Sequence, residues 1–201
     1  MLPNGRREFN ETWNDWPDDQ TAFAWVFHPE QRQEIRRRVL EWSINRVRYL
    51  QEHGYPQLGI VTVPEVLYVR EGPRVVGLDT YTEADVVSAV SRRSIAAGRY
   101  AQFDRHQNVL LTFIATSKAV HVPMGAIMPQ GHPWLLVTTA LSADYQAYCS
   151  AVRMEPTRAN IGGAAGIITI LAYRLHVAPT KLSYEAVQKE LVRRGYAADG
   201  L

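Results

Sequence analysis

Three glycines within five residues, Gly162, Gly163 and Gly166, lie in the first half of a run, TRANIGGAAGIITILAYRLH, that otherwise reads as one buried helix after Pro156. A glycine inside a helix costs about 1 kcal/mol relative to alanine, so something must need the bare backbone. Two readings meet that need. In one, a glycine-rich helix start presents free N–H groups and the positive end of the helix dipole to an anion or a polar ring edge. In the other, small residues let the helix pack tightly on a sheet. The chain contains no G-x-G-x-x-G, so neither reading draws on a dinucleotide fingerprint.

The rest of the chain predicts a mixed α/β (α+β) protein. Pro29 opens a helix in which Ile35, Val39, Trp42, Val47 and Leu50 recur at helical spacing until Gly54-Tyr55-Pro56. Val66–Val69 and Val75-Val76 read as strands joined by a turn at Glu71-Gly72-Pro73, and Thr82 to Asp85 as the start of a short helix. Val109–Ala115 and Trp134–Thr139 have the length and composition of buried strands. Ser183 to Arg194 is a final amphipathic helix closed by Gly195. Residues 1–27, with Trp13, Trp16 and Trp25 among turn formers, read as an irregular aromatic arm ahead of a single region spanning 28–201.

Composition narrows the function classes. Cys149 is the only cysteine, which excludes a disulfide scaffold and any multi-cysteine zinc or iron–sulfur site within the chain and fits a reducing, cytoplasmic setting. No segment has the roughly 20 apolar residues of a membrane span, and the start lacks an apolar signal core. The 22 basic residues are offset by 20 acidic ones, so whole-chain charge gives no reason to expect nucleic acid as a partner. Locally, Arg32 to Arg48 is basic and Glu8 to Asp19 acidic, as solvated faces or as opposite ends of an interface. His28, His53, His121, His132 and His176 have no metal-ligand spacing.

Asp104 and His106 form the best conventional acid–base pair, because residues two apart on a strand share a face and a carboxylate beside an imidazole raises its pKa toward neutrality. A surface turn is the competing reading.

The segments LYVREGPRVVGLDTYTEADV, FDRH, VPMGAIMP, WLLVTTALSADYQAYCSAVRMEP and IGGAAG, in this order, resemble the C-terminal part of the FAD-dependent oxidoreductase family often labelled xanthan-lyase-like. In that family a long helix precedes LYVRE-x-RR, then D-x-H, PYR-x-x-x-P, RMEP and GQ-x-AG. The resemblance covers most of the chain and implies the substrate-and-cap half of a glutathione-reductase-like flavoenzyme that oxidises a small organic substrate by hydride transfer to flavin. It implies FAD contact through Arg153 and the backbone of Gly162, Gly163, Ala164 and Ala165. Asp104, His106 and Tyr145 are the implied catalytic positions, with a packed aromatic the other reading of Tyr145, and Arg70, Arg74 and Met124 the substrate-binding ones, with a structural salt-bridge role the other reading of the two arginines.

The chain departs from the family pattern at several of these positions. Met124-Gly125 replaces the Tyr-Arg of PYR, Tyr145 stands where a histidine is expected, and Gly163 where a glutamine is. Family members also begin with a Rossmann βαβ unit that seats the FAD pyrophosphate, and the residues here match downstream of it. The expectation is therefore a subunit of a split, heteromeric enzyme whose partner is a Rossmann-bearing flavoprotein subunit. The rival expectation is a non-catalytic scaffold or regulatory subunit that keeps the fold without flavin.

Overall fold

The computed structural model describes residues 19–63, 65–67, 72–88, 92–98, 102–107, 110–115, 119–149 and 151–196, with backbone alone at 19–22, 102–107, 110–115, Gln146 and Ala151. The chain divides between Gly72 and Pro73 into two compact units.

In the first unit, α1 (Asp19–Phe27) leads through a 3-10 turn at Pro29–Gln31 into α2 (Arg32–Glu52). Arg32 reaches back to α1, donating from Nε to the Trp25 carbonyl at 2.9 Å and from Nη2 to that of Val26 at 3.2 Å. A cation thus satisfies carbonyls that the end of α1 leaves unbonded. The end of the expected irregular arm is therefore helical. Its sequence DQTAFAWVF is apolar on nearly every side after the first three residues, which hides the helical period. Trp13 and Trp16 lie outside the described residues. Helix α2 stops as expected, at Gly54, whose φ of 110° only glycine adopts freely. Arg37 pairs with Glu34 at 2.6 Å and with Glu41, so this part of the basic stretch is a solvated face. Val39, Leu40, Ser43 and Val47 of α2 face the segment Gly59 to Val63 across an open groove of about 610 Å³.

The second unit begins with an extended strap over 73–81 and α3 (Glu83–Ser88). Among the described residues four strands follow: β1 (Ser94–Gly98), β2 (Gln102–Gln107), β3 (Leu110–Ala115) and β4 (Val120–Pro123). Strands β1 and β4 pair antiparallel, with Gly98 opposite Val120. Between them in sequence, β2 and β3 pair as a separate hairpin. After a 3-10 turn at Met124–Ile127 come α4 (Tyr145–Cys149), α5 (Glu155–Leu175) and α6 (Tyr184–Arg193). Ile95, Val120 and Val122 from the strands meet Ile161, Ile168 and Leu191 from the last two helices in one buried cluster. Helix α5 crosses β1 closely enough that a Cβ on Gly98 would meet Thr157 Cβ at 3.1 Å, and Asn160 Nδ2 donates to the Ala97 carbonyl at 3.0 Å.

Two expected strands are irregular. Val75 donates to the Ala140 carbonyl and the Val76 carbonyl accepts from Gln130, both at 2.9 Å, so adjacent residues bond to different segments and no ladder propagates. At Trp134–Thr139 the chain turns, with Leu135 N–H donating to the His132 carbonyl at 3.1 Å and Trp134 72% exposed. Tyr68 and Val69 of the other run lie outside the described residues, while Leu110–Ala115 is a strand as expected.

The predicted short helix gains a reciprocal cap. Thr82 N–H and hydroxyl donate to Asp85 Oδ2 at 2.9 and 2.7 Å, and Arg92 Nη2 donates to the same oxygen at 2.6 Å. Burial alone would raise the Asp85 pKa, but the Thr82 and Arg92 hydrogen bonds outweigh it and hold the carboxyl below its ordinary 3.8. A depressed carboxylate adds stability above its unfolded pKa and loses it as pH falls through the folded one. Asp85→Asn is expected to cost about 1–2 kcal/mol at pH 7. Urea titrations at pH 7 and pH 3 check this: the gap between variant and parent should narrow at pH 3, and an unchanged gap would exclude the ionised cap as its source.

Candidate functional site

The second unit places several of the predicted positions around α4 and the first turns of α5. Helix α4 lies beside β2, the strand that carries Asp104 and His106. Asp104 pairs with Phe113 and His106 with Leu111 across the hairpin, so the surface-turn reading fails and the two residues occupy alternate positions on one strand. Tyr145 is the first residue of α4 and is 42% exposed. The strand that carries Asp104 and His106 and the helix that begins at Tyr145 are thus neighbours.

Helix α5 corrects the reading of its glycines. Its first residue is Glu155, with Met154 as N-cap and Pro156 in the first turn, so Gly162 and Gly163 stand two turns inside. Their N–H groups belong to the helical ladder and are not free donors. The three glycines also differ in surroundings. A Cβ on Gly163 would come within 2.6 Å of the Tyr196 ring, so here close packing within the chain explains the missing side chain. At Gly162 and Gly166 nothing lies within 4 Å of the Cβ position. With exposed Ala159 they form a bare lane along the outer face of α5, while Ala164 and Ala165 point into the core at 0% and 8% exposure.

Met124, implied as a substrate contact, is 8% exposed within the core cluster. Its neighbour Gly125 lets the strap approach: a Cβ there would sit 2.7 Å from Asp79 Cβ, and Asp79 N–H donates to the Gly125 carbonyl at 3.2 Å. Met-Gly in place of Tyr-Arg thus fills the core and seats the strap. Arg153 donates from Nε to the Cys149 carbonyl at 2.8 Å, tying the end of α4. Arg70 lies outside the described residues. Arg74 is described, with its guanidinium 5.3 Å from the centre of the Tyr148 ring.

Sequence reasoning missed Tyr148 and Arg158. Tyr148 is 6% exposed, and Arg158 Nη2 donates to its hydroxyl at 2.8 Å. The available signal was a cation in the first turns of a helix, where the dipole disfavours it.

A family profile described as FAD dependent oxidoreductase matches residues 2–191. The chain belongs to the FAD dependent oxidoreductase family. No curated protein and no solved structure matches it. FAD is accordingly the cofactor. The residues fit only part of that group. The lane of Ala159, Gly162 and Gly166 offers a flat surface without side chains, suited to van der Waals contact with a ring. It offers no amide donors, and the sequence has no glycine turn for the pyrophosphate. Among the described residues no group of three or more His, Cys, Asp or Glu could hold a metal ion, and no helix is long and apolar enough to cross a membrane.

Proposed function

We propose that this chain is the cap and flavin-closing part of a glutathione-reductase-like, xanthan-lyase-like FAD-dependent oxidoreductase. It works in the cytoplasm as one subunit of a split enzyme. The observation that carries the proposal is the family match over residues 2–191, a stretch that itself holds no G-x-G-x-x-G turn for the FAD pyrophosphate. A Rossmann-bearing partner subunit supplies that turn and the seat for the adenosine half of FAD.

FAD, when bound, supplies the hydride acceptor for oxidation of a small organic substrate. His106 takes the proton that the substrate releases as its C–H hydride departs, and Asp104 favours the resulting imidazolium. Tyr145, at the start of the neighbouring helix, positions the substrate by hydrogen bonding. The bare lane of α5 lies against the flavin ring or the partner's backbone, which accounts for two exposed glycines that nothing in the described structure covers.

Co-expression with a Rossmann-bearing protein encoded beside this chain, followed by purification and an absorbance spectrum, tests the reading. A yellow complex with one FAD per pair is expected. Gly162→Glu should abolish the colour, because it puts a long anionic side chain on the lane. Gly163→Glu is the poorer probe, since it would first displace Tyr196. A colourless complex would favour the scaffold alternative, and stoichiometric FAD on the isolated chain would exclude a shared site.

A further inference from the structure

The run WLLVTT at 134–139 conflicts with its surroundings. Four apolar residues in succession, without alternation, are the pattern of a strand covered on both faces, as in a parallel sheet with helices on either side. The described residues hold no such sheet: both pairs, β1–β4 and β2–β3, are two-stranded and antiparallel. Trp134 is instead 72% exposed and Leu135 48%, while Leu136 is half-buried against the core cluster.

The main chain of this run is as bare as its side chains. Val137 N–H donates to the Ile127 carbonyl at 2.9 Å, which ties one side of the segment to the rest of the second unit. In an extended chain successive amides face opposite sides, so the N–H and C=O groups of Leu136 and Thr138 belong to the other side. Among the described residues neither Leu136 nor Thr138 makes a hydrogen bond. An edge that is to stay unpaired is normally blunted by a charge or a proline, and from 134 to 143 the sequence has neither.

We infer that the edge at 135–138 is where the partner subunit adds a strand, so that this run becomes the outer strand of the partner's parallel sheet. The inference rests on the split-enzyme reading and extends it to the surface that joins the two chains. The edge itself states the chemistry of its occupant: a neutral, extended, apolar strand whose backbone completes the hydrogen bonds and whose sheet covers the apolar side chains. A Rossmann unit has such strands, because its sheet is parallel and buried by helices on both sides. A second copy of the same run would pair about a two-fold axis into an isolated two-stranded ribbon, which is marginal in water.

The test co-expresses the full chain with the Rossmann-bearing protein encoded beside it and follows amide hydrogen exchange in the chain alone and in the complex. The Leu136 and Thr138 amides should exchange freely in the isolated chain and be slowed roughly 100-fold or more in the complex. Trp134→Lys and Leu135→Lys should each weaken assembly by about tenfold or more, since each brings an unpaired charge to the covered edge. Both positions are exposed, so the melting temperature of the isolated chain should not change. Val192→Lys, at a comparably exposed site on α6, should assemble like the parent. A complex in which both amides still exchange freely, or in which both edge variants assemble like the parent, would overturn the inference and leave the split-enzyme reading standing. Protection of both amides in the isolated chain that grows with its concentration would give the edge to a second copy and overturn it as well. Failure of any complex to form would remove the split-enzyme reading and this edge with it.

Discussion

Gly77→Ala is expected to destabilise the second unit by about 3 kcal/mol, at the upper end of what overpacking costs. The added Cβ would stand 2.7 Å from the Gly125 carbonyl oxygen, 2.8 Å from that of Asp79 and 2.8 Å from Ser142 Cβ. Two of those three atoms are backbone, so no rotamer change relieves the clash. The strap would have to leave the 124–129 turn and give up bonds such as Leu78 N–H to the Met128 carbonyl at 2.9 Å. Gly162→Ala serves as the opposite case, because its Cβ meets nothing and a helix gains roughly 1 kcal/mol from the exchange. Urea denaturation of both variants beside the parent checks the pair. A Gly77→Ala chain within about 1 kcal/mol of the parent would mean that the strap moves more freely than its contacts imply.

His106→Ala is expected to lower turnover of the flavin-loaded complex by roughly 10²–10⁴-fold, the usual range for loss of a general base. Flavin content should stay the same, because this residue lies on the β2–β3 hairpin and not on α5. With the proposed roles, a shift of the pH–rate profile should accompany Asp104→Asn, which removes the carboxylate proposed to favour the imidazolium. Parental turnover in His106→Ala would remove the pair from the chemistry and leave the hairpin a structural element.

The helices were legible where local signals agreed. Pro29 and Gly54 bracket the first long helix, and Ser183, whose side chain accepts from Ala186 N–H at 3.2 Å, and Gly195 bracket the last. Reading α5 as beginning near its glycines gave weight to low helix propensity, but burial of Thr157, Ile161, Ala164 and Ile168 along one face overrides it. Its far end carries no glycine either, since His176 takes the left-handed conformation at φ 54°. The strap and the 134–139 segment misled because β-rich residues also suit an extended chain that bonds to several partners in turn. Strands β1 and β4 are only five and four residues long, and SIAAG carries little of the branched or aromatic character that marks a strand. The Tyr148 cluster joins residues far apart in sequence, which no local spacing reveals.

The nesting of one hairpin inside another strand pair bears on how the chain folds. Pairing Gly98 with Val120 closes a loop of about 20 residues, and the entropy lost grows with the logarithm of that length. Once β2 and β3 have zipped locally, only a few residues on each side remain to be drawn together. The buried β1–β4 pair is therefore expected to follow the hairpin, so substitutions that weaken the β2–β3 pairing should slow folding while those in β1 should mainly hasten unfolding. Assembly of the core thus depends kinetically on a hairpin that belongs to another sheet.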